Sequence, residues 1–174
     1  ALDTATANTV WDANAASGGP LGAGLSLFAL RTNQTEDLGG NTLTLGNGTD
    51  PGGLILNDGG SISNGFIDFG ASEAVVYAGG AGTAAINTGI LGSNGFTKFG
   101  DGRLEFGPTG GAPTFNLDTF AGKINVNQGT LGFAANDVFD WDFFKLEPRA
   151  LDVNVEFDGT LDVGGTSQRI GTLT

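Results

Sequence analysis

The sequence predicts an all-β fold, a right-handed parallel β-helix (β-solenoid), and three observations support that prediction. A strand phrase of the form Gly-x-Leu-x-hydrophobic recurs around Leu104, Leu131 and Leu161, which lie 27 and 30 positions apart. Such an interval between equivalent strands is typical of stacked solenoid coils. Glycine supplies 32 of the 174 residues, and it suits a coil that turns several sharp corners. No segment has the 3.6-residue apolar period of an amphipathic helix.

Residues 1–40 are predicted to form an extended N-terminal segment that caps the rod or donates a strand to a neighbour. Within it, the stretch from Leu25 to Leu30 alternates and is a candidate for a first buried strand. The β-helix itself is predicted for 41–174, running from about Asn41 to Leu173. An acidic and aromatic insertion is expected at about 134–150.

The predicted β-helix begins with a short strand at 42–45, and further strands follow at 54–56, 61–63, 66–69 and 74–77. Clusters of Gly, Asn and Asp between them favour tight turns. We expect about five or six coils of roughly 20–30 residues each. Strand alternation should direct one apolar side chain in two inward, into a single stacked column. The expected inward residues are Leu43, Leu45, Ile67, Phe69, Leu104, Phe106, Ile124, Val126, Leu131, Phe133, Val155, Phe157, Leu161 and Val163.

The central part of the chain carries a family resemblance. Residues 95–107 read Gly-Phe-Thr-Lys-Phe-Gly-Asp-Gly-Arg-Leu-Glu-Phe-Gly, and residues 119–131 read Thr-Phe-Ala-Gly-Lys-Ile-Asn-Val-Asn-Gln-Gly-Thr-Leu. This resembles the autotransporter-associated β-strand repeat, with departures at Phe96, Phe120 and Ile124. The resemblance implies a parallel β-helix from a bacterial extracellular or cell-surface protein. The family has no catalytic motif to transfer to this chain.

The composition excludes several classes of function. Seven Lys and Arg stand against 19 Asp and Glu, a net charge of −12, so the surface repels nucleic-acid phosphates and anionic lipid headgroups. The absence of His and Cys excludes Ser-His-Asp and Cys-His catalysis, disulfides and the usual zinc sites. No apolar run reaches the roughly 18 residues of a membrane-spanning helix. We therefore expect no nucleic-acid partner, no membrane insertion of this segment and no enzymatic activity.

The segment 136–144 combines three aspartates with four aromatic residues. Clustered carboxylates suit Ca²⁺, and aromatic rings suit a glycan or protein partner. The alternative is an edge strand or loop whose rings cover the coil while its acids face water. The candidate Ca²⁺ ligands are Asp137, Asp140 and Asp142, and the candidate partner or ligand contacts are Phe139, Trp141, Phe143 and Phe144. No other cofactor is expected.

Two further segments contain residues that also occur in Ca²⁺-binding loops. The stretch 79–84 is similar to the β-roll nonapeptide, but Thr83 stands where that pattern has its ligand aspartate. The stretch 47–50 is an oxygen-rich corner. Turn formation is the expected role of both segments.

The sequence therefore favours a non-catalytic structural or adhesive β-helix module of a bacterial extracellular or cell-surface protein. We expect it to associate end to end, as in a filament, or to continue within a longer chain, with a glycan or surface molecule as a further partner. The alternative is a polysaccharide-binding or polysaccharide-degrading β-helix. A phage tail fibre is a third reading, without evident trimer-forming sequence to support it.

Overall fold

The computed structural model describes residues 6, 8–13, 20, 22–107, 120–136, 138 and 150–174, and this part of the chain is all-β. Its fourteen strands form one sheet. The strands are β1 (Val10–Ala13), β2 (Leu25–Leu27), β3 (Ala29–Thr32), β4 (Thr35–Asp37), β5 (Thr42–Leu45), β6 (Gly53–Asn57), β7 (Ser61–Asp68), β8 (Ala74–Gly79), β9 (Ala84–Leu91), β10 (Ser93–Phe99), β11 (Arg103–Phe106), β12 (Phe120–Phe133), β13 (Leu151–Asp162) and β14 (Ile170–Leu173).

All pairings between these strands are parallel. Each strand pairs with the equivalent strand of the coils before and after it. For example, Leu54 pairs with Val76, which in turn pairs with Lys98. Parallel pairing of this kind requires a crossover between partners, which here is the rest of the coil. The predicted parallel β-helix is confirmed.

The coil has three faces. Face 1 consists of β1, β3, β6, β8, β10, the first halves of β12 and β13, and β14. Face 2 consists of β4, the first halves of β7 and β9, β11, and the second halves of β12 and β13. Face 3 consists of β2, β5 and the second halves of β7 and β9. Each coil runs through the faces in that order, so corners of the same kind lie above one another along the rod.

Parallel pairing starts before Asn41, the residue at which we expected the β-helix to begin. Val10 pairs with Ala29 and Leu25 pairs with Leu43, so β1 to β4 already belong to the sheet. These strands have only three or four residues. The alternation from Leu25 to Leu30 predicts β2 and the start of β3, whereas β1 and β4 have no comparable alternation of apolar residues.

The apolar column was predicted correctly over most of its length. The ten expected residues from Leu43 to Phe133 are buried, and Val155 and Leu161 pack against the core while partly exposed. Phe157 and Val163 were predicted wrongly, since they are 101% and 43% exposed. Opposite Val126 and Gln128, β13 places Val155 and Asp158, so it contains one extra residue at that corner. Phe157 lies in this corner, between the two paired positions, and faces outward there, and Val163 lies beyond the end of β13.

The interior of the described coils also contains polar side chains. Those that are buried are Thr32, Glu36, Ser61, Thr88 and Lys98. Glu36 and Lys98 are the two ionisable members of this set. Buried ionisable groups require partners, and these two differ in the partners they have.

Candidate functional site

The predicted acidic and aromatic site lies outside the described residues. This applies to all of its candidates, namely Asp137, Asp140, Asp142, Phe139, Trp141, Phe143 and Phe144. Two described residues of the same segment form hydrogen bonds to the last coil. The backbone N–H of Val138 donates to Gln168 Oε1 at 2.9 Å, and Asn136 Oδ1 accepts from the N–H of Ser167 at 2.8 Å. Ca²⁺ or partner binding by this segment stays a prediction.

The oxygen-rich corner at 47–50 forms a turn, as expected. Asn47 Oδ1 accepts from the backbone N–H groups of Thr49 at 2.9 Å and Asp50 at 2.7 Å. The stretch 79–84 forms the corner between β8 and β9, with Gly80 at φ 87°. In the part of the chain that the structure describes, no three acidic, His or Cys side chains come together as a metal-binding group.

Lys98 lies in the interior, although sequence analysis assigned it no role. It follows Phe96 by two positions on β10, so the same alternation that buries Phe96 turns Lys98 inward. Its ammonium group donates to the carbonyl oxygens of Gly100 at 2.5 Å, Gly102 at 2.8 Å and Gln128 at 2.6 Å. All three ammonium hydrogens therefore have an acceptor.

Glycines shape the corner that receives Lys98. Gly100 has φ 87° and Gly129 has φ 67°, both in the left-handed region. A Cβ atom at Gly129 would lie 2.7 Å from Lys98 Nζ and 2.5 Å from the Gly100 carbonyl oxygen, which leaves no room for a side chain. The sequence Lys-x-Gly-x-Gly at 98–102 therefore has a structural explanation. The lysine side chain binds the carbonyl oxygens of the corner that Gly100 and Gly102 form.

Burial lowers the pKa of Lys98 to about 8, and the negative charge of nearby Asp101 opposes that shift. The carbonyl oxygens of two successive coils converge on the ammonium group, since Gly100 and Gly102 precede β11 while Gln128 lies in β12. Lys98 thereby joins one coil to the next from inside the rod.

Glu36 is the second buried ionisable group, in β4 near the N-terminal end of the rod. It is 2% exposed, and its Oε1 accepts from the hydroxyl of Thr32 at 2.9 Å. Its other carboxylate oxygen, Oε2, is buried and has no hydrogen-bond partner within the described part of the chain. Among the described residues no Lys or Arg forms an ion pair with it.

A third charged group joins coils on the outside of face 2. Arg103 donates to Glu105 at 3.1 Å and to Asp162 at 2.6 Å. Since β12 lies between β11 and β13, the guanidinium group passes over Gly132, where a Cβ would clash with it. The hydrogen bond from Arg103 holds the pKa of Asp162 below its usual value, and the same bond raises the pKa of Arg103.

Face 1 carries both a polar and an aromatic column on its outer surface. Thr97 donates to Glu73 and accepts from the side-chain amide of Asn125 at 3.2 Å. Beside them, the rings of Tyr77 and Phe99 meet edge to face, with centroids 5.3 Å apart. Phe99 is 38% exposed. These rings are the described outer residues best suited to contact a ligand, since aromatic side chains are enriched at interfaces.

Comparisons with known proteins add no identity to this geometry. No protein-family model matches the chain, and no curated protein or solved structure matches it. Within the described residues, no helix is long and apolar enough to cross a membrane. The relationship to autotransporter repeats therefore stays a prediction from the residues at 95–131.

Proposed function

We propose that this chain is a non-catalytic structural and adhesive rod module of a bacterial extracellular or cell-surface protein. The observation that supports this function best is the unbroken parallel pairing from β1 to β14 around an interior filled with side chains. Two charged groups of the described coils, Lys98 and Arg103, join neighbouring coils. A rod of this kind presents long faces and two ends to its partners.

End-to-end self-association belongs to this proposal. The second half of β13 pairs with β12, and no described strand covers its other edge. Phe157, fully exposed, lies beside that edge, and Val163 and Leu173 are exposed nearby. An open strand edge bordered by apolar side chains favours pairing with another chain. A head-to-tail contact does not close, so it builds filaments.

Light scattering over a concentration series tests the self-association. We expect the mass of the wild type to rise with concentration and the rise to weaken in Phe157→Ser. The matched control is Phe66→Ser, because Phe66 is 43% exposed on the side of the rod. A wild type that stays monomeric at every concentration, or an equal effect of both variants, contradicts end-to-end assembly.

Polysaccharide binding is the second candidate, and the Tyr77–Phe99 pair on face 1 favours it. Glycan binding that is lost in Phe99→Ser and kept in Phe66→Ser would support it. Polysaccharide degradation is tested separately by measuring sugar release. Release by the wild type that is absent from the Asp140→Asn, Asp142→Asn double variant would overturn the non-catalytic proposal.

A further inference from the structure

Four oxygen groups converge in the interior at the N-terminal end of the rod. The hydroxyl oxygen of Thr32 lies 2.9 Å from Glu36 Oε1, 3.2 Å from the Ala13 carbonyl oxygen and 3.4 Å from the Gln34 carbonyl oxygen. These residues come from β1, β3, β4 and the corner between β3 and β4. Thr32 and Glu36 are both buried.

This cluster has more acceptors than hydrogens. Thr32 has one hydroxyl hydrogen, and three oxygens lie within reach of it. The Thr32 oxygen itself accepts from the N–H of Gln34 at 3.0 Å, and the Gln34 carbonyl accepts from the N–H of Ser61 at 2.9 Å. Glu36 Oε2 has no hydrogen-bond partner among the described residues. An ionised carboxylate that is buried with an oxygen left over is costly unless a positive charge lies beside it.

Three coils further along the rod, the equivalent corner contains a positive charge, that of Lys98. Both clusters lie where face 1 turns into face 2, and at Lys98 the chain supplies an ammonium group to three oxygens. At Glu36 the described residues supply carbonyl, hydroxyl and carboxylate oxygens but no cation. A cation from solution that binds beside the Thr32 hydroxyl can supply the positive charge that Lys98 supplies at its own corner.

We propose that this cluster is a binding site for a monovalent alkali cation, Na⁺ or K⁺. The ligands are the Glu36 carboxylate, the Thr32 hydroxyl and the carbonyl oxygens of Ala13 and Gln34. Hard cations take oxygen ligands, and backbone carbonyls replace the hydration shell of alkali cations in other proteins. One carboxylate neutralises one positive charge, so a monovalent ion leaves the buried site neutral, whereas a divalent ion leaves a net charge that is costly to bury.

Thermal unfolding at one fixed ionic strength tests the site, with choline chloride, NaCl, KCl and CaCl₂ as the compared salts. An ion that binds only the folded state raises the unfolding midpoint. We expect Na⁺ or K⁺ to raise the midpoint of the wild type by roughly 3–6 °C over choline at about ten times the dissociation constant. Glu36→Gln should remove that difference, because it replaces the carboxylate with a neutral amide of equal size. Glu156→Gln is the matched control, since Glu156 is exposed and its replacement changes the net charge equally.

Three outcomes overturn the proposal. They are equal midpoints in choline, Na⁺ and K⁺, a response to Ca²⁺ alone, and an alkali response that survives in Glu36→Gln. Should Glu36→Gln fail to fold, crystal structures of the wild type grown in NaCl and in KCl decide the question. An ion held by the Glu36 carboxylate and the Thr32 hydroxyl in either salt supports the site, and a cluster without an ion in both salts overturns it.

Discussion

Lys98 and Glu36 are both charged residues inside the same rod, and their surroundings differ. The Lys98 ammonium has three hydrogens and three carbonyl acceptors. The Glu36 carboxylate has one donor and a buried oxygen without a partner. A buried charge stabilises a fold only where its hydrogen-bonding capacity is met. We infer that Lys98 is part of the framework, whereas Glu36 depends on a partner that the described residues do not supply.

Replacing Lys98 should have the largest effect on stability. Lys98→Met keeps most of the volume but removes the ammonium donor of three hydrogen bonds to carbonyl oxygens, and we expect a loss of about 3 kcal/mol or more. The free energy of unfolding from denaturant titration measures it. Lys123→Met is the matched control, because Lys123 is exposed in the next coil. Similar losses in both variants would show that the three hydrogen bonds contribute little.

Leu131→Ala provides an apolar comparison for the loss of stability expected in Lys98→Met. Leu131 is fully buried on face 2, so its truncation opens a cavity and should cost about 2–4 kcal/mol. Thr130→Ala alters a half-buried outer position of the same strand and should cost under about 0.5 kcal/mol. The same denaturant titration applies. Equal costs at the two positions would mean that the inward register of β12 is wrong.

The pH dependence of stability tests how strongly burial acts on Lys98. Its folded-state pKa of about 8 lies below the ordinary value of 10.5, so between these values the unfolded chain binds more protons than the folded one. The wild type should therefore gain stability relative to Lys98→Met as the pH rises from about 8 to 10.5. A flat difference across that window would show that the three carbonyl oxygens outweigh burial and keep the ammonium charged.

Glu36→Gln should affect stability much less than Lys98→Met, measured in choline chloride without alkali cations. The side-chain amide of the variant can donate to oxygens that, in the wild type, compete for the single hydroxyl hydrogen of Thr32. The substitution also removes the buried negative charge. We expect a change within about 1 kcal/mol, in either direction. A loss as large as that of Lys98→Met would mean that Glu36 has a strong partner in the folded protein without any bound ion.

The regular part of the fold could be predicted from sequence because period two and recurring glycines report directly on parallel coils. Alternation placed Leu43 and Leu131 correctly. It failed at Phe157, since the extra residue places Phe157 in a corner, whereas Leu161 beyond that corner packs against the core as expected. Corners are set by backbone geometry, and the residues around Phe157 carry no clear signal of that insertion.

The buried charges were harder to predict for another reason. Alternation alone would have turned Lys98 inward beside Phe96, but its partners are backbone carbonyls two, four and 30 positions away. Backbone acceptors have no residue signature, so their convergence is visible only once the coils are stacked. The same applies to Glu36. It accepts a hydrogen bond from the Thr32 hydroxyl, which also lies within hydrogen-bonding distance of the Ala13 carbonyl oxygen.

The contact from Arg103 to Asp162 has a mechanical consequence. In a parallel β-helix the hydrogen bonds between strands point along the rod, so tension on its ends loads successive coils in series and the weakest junction opens first. Arg103 spans two junctions at once, from β11 over Gly132 to β13. Under tension, neither the β11–β12 nor the β12–β13 junction can separate far while this ion pair holds. The two junctions therefore share part of the load through this one side-chain contact.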